Sequence, residues 1–175
     1  MNIKFLNPFI EAGVEVIHKE TGISFQRGDL RLEKTPYLSD DVTVIISLVG
    51  MVSGNVFYST NLKSGMTLVS KMIGEPITEF DNLAQSGLAE LGNVITGRAS
   101  VKLAEAGYES TISPPALLLG KGAVLSTLDL FRLVVPLSGD DVSLTIHLAL
   151  REDTSHIIST PSLAIPEKPD VLGLK

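Results

Sequence analysis

The sequence contains no cysteine, no long basic run and no apolar stretch of membrane-spanning length. Without cysteine the chain cannot form disulfides, thiolate metal sites or a thiol nucleophile. A net charge of −6 disfavours the phosphate backbone of nucleic acid as a partner. No segment reaches the roughly 18 consecutive apolar residues of a spanning helix, and the N-terminus lacks a signal-peptide pattern. These absences predict a cytoplasmic protein that neither inserts into membranes nor binds nucleic acid.

Apolar residues are what the chain has in plenty: they make up 44% of its 175 positions, whereas charged residues make up 19%. This length suffices for one domain with a sizeable core. The composition also leaves more apolar surface than a small single domain usually shows. We therefore expect a homodimer, which would bury part of that surface.

Hydrophobic periodicity predicts an α+β fold, in which long helices pack on an antiparallel sheet. The predicted helices are 7–22, with Asn7 as N-cap and Gly22 as stop, 62–73, and 78–106, with a capping box at Thr78 and Asp81. The predicted strands are 23–33, 42–48, 55–59, 128–137 and 142–151, with turns at 27–29, 50–54 and 138–141. Strict alternation in the last strand indicates a sheet with one polar face.

The composition changes after residue 151. Residues 152–175 contain three prolines, few large apolar side chains and no periodicity, which is typical of a tail. We therefore predict one domain over residues 1–151, followed by a proline-containing C-terminal tail over 152–175.

A short internal repeat relates the first predicted helix to the third. A shift of 75 positions places residues 15–22 over residues 90–97, and both segments read Glu, apolar, any residue, His or Asn, two further residues, then Thr-Gly. Each helix is followed by strands. The pattern predicts two diverged copies of a helix-plus-strands unit, related by a pseudo-two-fold axis.

The third helix carries the most informative stripe of the sequence. Ser86, Glu90, Asn93 and Gly97 are spaced by four, three and four positions, which places them on one helical face. Alone, such a stripe is more often a solvated helix face than a site. Here apolar positions surround it, which predicts a mostly buried helix; they are Leu83, Leu88, Leu91, Val94, Ile95 and Leu103.

The chemistry of two of these side chains favours hydrolysis of a phosphoryl group. The Asn93 carboxamide can donate and accept hydrogen bonds without ionising, so it can orient one water molecule. Phosphoryl transfer depends mainly on such positioning and on charge stabilisation. Glu90 suits a cation anchor better than a general base, because an ordinary glutamate is a weak base at neutral pH.

The motif Ser86-x3-Glu90-x2-Asn93, followed by Pro114 and Pro115, resembles that of the CheC, CheX and FliY chemotaxis phosphatases. The order of elements and the Asn-Val-Ile-Thr-Gly and Ser-Pro-Pro phrases are most similar to CheX. The resemblance covers residues 1–151 and implies a CheC/CheX-like fold. It also implies hydrolysis of the phospho-aspartate of a CheY-type response regulator, with Asn93 and Glu90 as the catalytic residues.

The resemblance implies roles for the remaining residues as well. Glu90 would pair with a lysine of the regulator, which would also hold the Mg²⁺, so the chain would need no metal of its own. Ser86, Gly97, Pro114 and Pro115 would contact the partner. The first helix carries His18 in place of the asparagine, which indicates a degenerate copy.

Two other functions remain open, and both use the same fold. The chain could bind a response regulator without turnover, or it could be a structural module of a flagellar or motility complex. The other histidines do not suggest a metal site, because they are scattered along the chain. His147, on a strand, is predicted to be structural or interfacial.

Overall fold

The structure is a computed structural model, and it describes residues 3–127 and 130–153. The helices are a short 3₁₀ turn at Ile3–Phe5, α1 (Leu6–Thr21), α2 (Leu62–Ile73) and α3 (Asn82–Glu105). The strands are β1 (Gln26–Arg27), β2 (Arg31–Glu33), β3 (Tyr37–Leu38), β4 (Val42–Gly50), β5 (Val52–Thr60), β6 (Ser110–Ile112), β7 (Ala116–Leu119), β8 (Val124–Leu125), β9 (Arg132–Gly139) and β10 (Val142–Glu152).

One antiparallel sheet forms the centre of the molecule. Its order is β1-β9-β10-β5-β4-β6, with β2 added beside β9 and β7 beside β4. The short strands β3 and β8 pair with each other as a separate two-stranded ribbon. The helices pack on the sheet and α1 packs along α3, so the predicted α+β architecture is confirmed.

The sheet repeats the same pattern on both sides of the β5–β10 pair. β4 and β9 flank this central pair, and each receives two short edge strands from the other half of the chain. Between residues 27 and 31 the edge strand has one residue more than its partner strand β9, and the segment 112–116 shows the same excess against β4. These matching bulges support the predicted pseudo-two-fold relation of the two halves.

The main core lies between the helices and one face of the sheet. Alternate residues of β4, β5, β9 and β10 point into it and are almost fully buried; they include Val44, Ile46, Val56, Tyr58, Val135, Leu144 and Ile146. From the helices, the largest buried side chains are Phe9, Ile17, Leu68, Leu88, Leu91, Ile95 and Leu103. This burial supplies most of the driving force that holds the helices on the sheet.

The starts of α1 and α3 differ from the sequence prediction, whereas α2 and the helix ends agree with it. α1 begins at Leu6, directly after the 3₁₀ turn, so Asn7 lies inside its first turn and is not the cap. α3 is capped by Asp81, whose carboxylate accepts hydrogen bonds from the amides of Leu83 and Ala84; the predicted capping box with Thr78 is therefore wrong. Gly22 and Gly74 end α1 and α2 in the left-handed conformation that glycine favours.

The strand predictions need two corrections. The turn between β4 and β5 is confined to Met51, and Gly54 lies within β5, where a Cβ atom would come within 2.1 Å of the Ala149 carbonyl oxygen. The strand predicted from 128 begins only at Arg132, whereas the turn predicted at 27–29 agrees with the break between β1 and β2. Residues 128 and 129 lie outside the described residues.

The chain beyond β10 falls almost wholly outside the described residues. Glu152, the first residue of the predicted tail, still pairs with Val52, and the Asp153 amide donates to the Met51 carbonyl at 2.8 Å. The remainder of the predicted tail, residues 154–175, is not among the residues that the structure describes.

The predicted polar face of the sheet is partly covered. Tyr37, on the β3–β8 ribbon, stacks on Phe57 at a ring distance of 5.2 Å and meets the His147 ring edge-on at 4.8 Å. His147 is only 7% exposed, and its Nε2 lies 3.0 Å from the Ser59 hydroxyl. A structural role for His147, one of the two predicted roles, therefore agrees with its position.

We predict that His147 makes the fold sensitive to acid. Burial, and secondarily the charges of Arg132 and Arg31, lowers the pKa of His147 from 6.5 to about 3. As the pH falls, His147 is protonated in the unfolded chain before it is protonated in the folded protein. The contribution of this group to the free energy of unfolding is therefore fully present above pH 6.5, and it is lost towards pH 3 by about 1.4 kcal/mol per pH unit. His147→Gln, which can keep a hydrogen bond to Ser59, should flatten this dependence. Urea unfolding at pH 7 and pH 5 would show it; equal pH dependence in both proteins would contradict it.

Candidate functional site

The outward face of α3 is set by tight packing on its inner face. At Gly92 a Cβ atom would lie 3.0 Å from Val44 Cγ1 and 3.2 Å from Tyr58 Cδ2, so the helix approaches the sheet as closely as glycine allows. One turn later the buried Thr96 hydroxyl shares a hydrogen bond of 2.7 Å with the Tyr58 hydroxyl. These contacts fix the rotation of α3 and leave Glu90 on the solvent side.

The predicted stripe lies on the surface of this helix. Ser86 and Glu90 are exposed, whereas Asn93 and Gly97 are half-buried. A Cβ atom at Gly97 would meet nothing nearer than Ile112 Cδ1 at 4.0 Å, so packing within the chain does not require glycine there. By contrast, Gly87 packs against Val69 of α2, where a Cβ atom would clash at 2.6 Å, so Gly87 and Gly92 serve internal packing and not an approaching partner.

Glu90 and Asn93 are brought together by their three-residue spacing. The Asn93 Nδ2 group donates to Glu90 Oε2 at 3.5 Å, a long and therefore weak hydrogen bond. Because a carboxylate accepts hydrogen bonds, the NH₂ group of Asn93, and not its carbonyl oxygen, faces Glu90. The carbonyl oxygen Oδ1 is then the atom of Asn93 that can accept a hydrogen bond from a water molecule.

Glu90 differs from Glu15, its counterpart in the first copy. Arg98 binds Glu15 through two contacts of 2.9 and 3.4 Å, and Lys102 lies 3.9 Å from the same carboxylate. The hydrogen bond from Arg98 lowers the pKa of the Glu15 carboxyl group. Within residues 3–127 and 130–153, no cationic side chain forms an ion pair with Glu90.

The unequal lengths of the two helices explain this difference. α1 ends at Thr21, and Gly22 turns the chain away from the helix axis. α3 passes through the equivalent Gly97 and continues to Glu105, which adds the two turns that carry Arg98 and Lys102. These turns place Arg98 and Lys102 beside the carboxylate of Glu15, whereas α1 has no matching extension that would place a cation beside Glu90.

The two prolines lie in the bulge of the β6–β7 edge. Pro114 is exposed and Pro115 is half-buried, and proline is tolerated here because a bulge interrupts the hydrogen-bonded ladder. Ser113 fixes the bulge to β4: its amide donates to the Ser47 carbonyl at 2.9 Å, and its hydroxyl accepts from the Ser47 amide at 3.0 Å. No hydrogen bond joins either proline to Glu90 or Asn93 within the described residues.

Three apolar side chains of α3 are exposed, and two of them, Leu83 and Val94, belong to the apolar surroundings of the stripe that the sequence analysis named. Leu83 is 52% exposed, Val94 is 37% exposed and Val101 is 49% exposed, although the apolar surroundings of the stripe predicted a mostly buried helix. Their positions, 11 and 18 residues apart, repeat at a whole number of turns, and this spacing was the signal that could have separated them from the core positions.

Among residues 3–127 and 130–153, no group of three or more histidine, aspartate or glutamate side chains is placed to hold a metal ion. Across the same residues, no helix is both long enough and apolar enough to cross a membrane.

Comparisons with known proteins agree with the fold. The family model described as chemotaxis phosphatase CheX matches residues 42–138. The chain is 27% identical over 122 residues to the CheY-P phosphatase CheX of Thermotoga maritima, covering 69% of this chain and 79% of the relative.

Solved structures show the same likeness. A CheC-like superfamily protein from Shewanella sp. PV-4 matches with a TM-score of 0.78 and 25% identity, over 86% of this chain and 99% of that one. The CheX–CheY–BeF₃–Mg²⁺ complex from Borrelia burgdorferi matches with a TM-score of 0.72 and 26% identity, over 86% of this chain and 100% of that one. The chain belongs to the chemotaxis phosphatase CheX family.

Proposed function

We propose that this chain is a cytoplasmic phosphatase that hydrolyses the phospho-aspartate of a CheY-type response regulator. The observation that carries the proposal is the Glu90–Asn93 pair, which stands on the outer face of α3 with its carboxylate free of any described ion pair. The Thermotoga maritima relative is named a CheY-P phosphatase, and the Borrelia burgdorferi CheX was solved with CheY. Both names support the same substrate class.

In this proposal Asn93 positions the attacking water. Its Oδ1 would accept a hydrogen bond from the water and so direct an oxygen lone pair at the phosphorus atom, opposite the leaving aspartate oxygen. The P–O bond to the aspartate then breaks as the bond to water forms, which yields inorganic phosphate and a free carboxylate. Because the transition state is loose, such alignment is the main help that a protein side chain can give.

Glu90 holds the partner in register. Its carboxylate would form a charge-assisted hydrogen bond with a lysine ammonium of the regulator, which is stronger than a neutral hydrogen bond. The same contact would draw Glu90 away from Asn93, and this costs little because the hydrogen bond between them is long. Glu90 therefore orients Asn93 in the free protein and anchors the regulator in the complex.

The divalent cation of this reaction is proposed to come with the regulator. Glu90 is the one carboxylate of the stripe Ser86, Glu90, Asn93 and Gly97. A single carboxylate is a poor Mg²⁺ site, since the ion normally takes additional ligands from carboxylates, substrate oxygens and water. Mg²⁺ would neutralise charge on the phosphoryl group, while this chain supplies the water-positioning amide and the anchor.

The proposal is tested by phosphate release. Phosphorylated CheY from Borrelia burgdorferi or Thermotoga maritima is mixed with catalytic amounts of the chain, and inorganic phosphate is followed over time. We expect release well above the rate of CheY alone and no release after a chelator removes Mg²⁺. Tight binding without faster release would contradict the phosphatase and support the non-catalytic binding module.

A homodimer remains part of the proposal. Leu32 on β2 is 59% exposed and Leu119 on β7 is 48% exposed, and both strands lie at edges of the sheet. Exposed apolar edges favour pairing with another chain. Sedimentation equilibrium at micromolar concentration should report a dimer, and a stable monomer would contradict this expectation.

A further inference from the structure

The outer face of α3 carries an aligned row of aliphatic side chains. Leu83, Val94 and Val101, which we call the aliphatic row, are separated by 11 and 7 positions. At 100° per residue their directions around the helix agree to within about 20°, and at 1.5 Å per residue the row is about 27 Å long. Single exposed aliphatic residues are normal, but the outermost line of a surface helix is usually polar or charged.

The row runs directly beside the proposed site. Val94 follows Asn93 in the chain and lies one turn after Glu90. At the other end, Leu83 borders a groove of about 260 Å³, whose lining also includes Ile73 and Ile77. The groove is also lined by Glu75, Glu79 and Asp81, so its walls are mainly polar and acidic. The aliphatic row therefore joins this acidic groove at the N-terminal end of α3 to the Glu90–Asn93 pair.

The charge in the sequence around Leu83 and Val94 has one sign. Residues 75–97 contain four carboxylates, Glu75, Glu79, Asp81 and Glu90, and no lysine, arginine or histidine. The cations that follow are directed towards α1: Arg98 pairs with Glu15 at 2.9 Å, and Lys102 pairs with Glu11 at 3.0 Å. An apolar line within an acidic rim is complementary to a partner surface that is apolar and basic.

We propose that the aliphatic row and its acidic rim form an extended docking surface for the regulator, well beyond Glu90 and Asn93. This inference rests on the proposed function, which supplies the partner. The occupant is a response-regulator surface that surrounds the phosphorylated carboxylate with apolar side chains and lysine or arginine. The row supplies affinity by burying aliphatic area, and the acidic rim accelerates encounter.

The test separates affinity from turnover. Leu83→Ser and Val94→Ser are compared with Val124→Ser, a valine that is 65% exposed on the β3–β8 ribbon, away from α3. The probe is Borrelia burgdorferi CheY loaded with Mg²⁺ and BeF₃⁻, which stands in for the phosphoryl group. We expect each row variant to raise Kd about tenfold while kcat at saturating phosphorylated CheY stays within about twofold of wild type. Val124→Ser should change neither.

The acidic rim is tested through the association rate. A Glu75→Lys/Glu79→Lys double variant should bind CheY more slowly at low ionic strength, and the difference should vanish at high salt because exposed charges are then screened. A salt-independent association rate in both proteins would remove the rim from the proposal.

Failure of the docking surface differs from failure of the phosphatase. If Asn93→Ala abolishes turnover while the row variants keep wild-type Kd, the docking surface is wrong and the phosphatase stands. If the row variants weaken CheY binding while wild type shows no turnover, the docking surface stands and the phosphatase is wrong. If the row variants keep Kd but turn a dimer into a monomer by sedimentation, the row is a contact between copies and the proposal is overturned. A wild-type chain that does not bind CheY contradicts both.

Discussion

Asn93→Ala is expected to slow regulator dephosphorylation by at least about 100-fold while the protein remains folded. The loss follows from geometry, because a water molecule without its acceptor spends little time in line with the phosphorus–oxygen bond. The fold should survive, since Asn93 is half-buried and its one described hydrogen bond, to Glu90, is weak. The effect should appear in kcat more than in the affinity for BeF₃⁻-loaded CheY, as for a group that acts in the transition state.

The matched control for this variant is Asn82→Ala. Asn82 is an exposed asparagine at the start of the same helix, outside the stripe. Its replacement should leave phosphate release unchanged, and thermal unfolding should report similar stability for both variants. Wild-type turnover by Asn93→Ala would remove the water-positioning role.

Local sequence patterns correctly predicted strand β4 and the ends of α1 and α2. The alternation of Val42, Val44, Ile46 and Leu48 corresponds to β4, because each of these side chains points into the core. Gly22 and Gly74 end their helices as expected, since the left-handed conformation is open to glycine at little cost. The repeat between residues 15–22 and 90–97 was a correct indication of the pseudo-two-fold sheet.

The remaining features depend on contacts between distant segments. The short strands β6, β7 and β8 lack periodicity, and they form only because β4 and β3 offer free edges. The covering of His147 by Tyr37 joins residues far apart in sequence and could not be read from the alternation of β10. Leu83 and Val94 are different, since their spacing by a whole number of turns could have separated them from the core positions.

The sequence predicted that the stripe of candidate residues shares one helical face, but not the ion pairs around it. Spacing placed Ser86, Glu90, Asn93 and Gly97 on one face, and the structure shows the same stripe at the surface. The ion pair between Arg98 and Glu15 could not be predicted, because it forms only when α1 packs along α3. That ion pair explains physically why one of two similar helices keeps a free carboxylate.

Glu90→Gln is expected to lower kcat/KM for phosphorylated CheY by about 30-fold or more. Removing one partner of a desolvated charge pair leaves the other charge without compensation, which typically costs more than 2 kcal/mol. Unlike Asn93→Ala, this variant should weaken the affinity for BeF₃⁻-loaded CheY as well as the rate. The wild-type affinity should fall with rising salt, and the variant should show a shallower dependence because one charge pair is missing.

Glu105→Gln provides the matched control, because Glu105 is an exposed glutamate at the far end of the same helix. It changes the net charge of the protein by the same amount, so any general electrostatic effect on CheY binding should appear in both variants. A difference in CheY affinity between the two variants therefore reports the specific contact of Glu90 with the regulator. If Glu90→Gln and Glu105→Gln bind with equal affinity and equal salt dependence, Glu90 does not hold a cation of the regulator. A loss of rate in Glu90→Gln would then come from Asn93, whose amide the Glu90 carboxylate orients in the free protein.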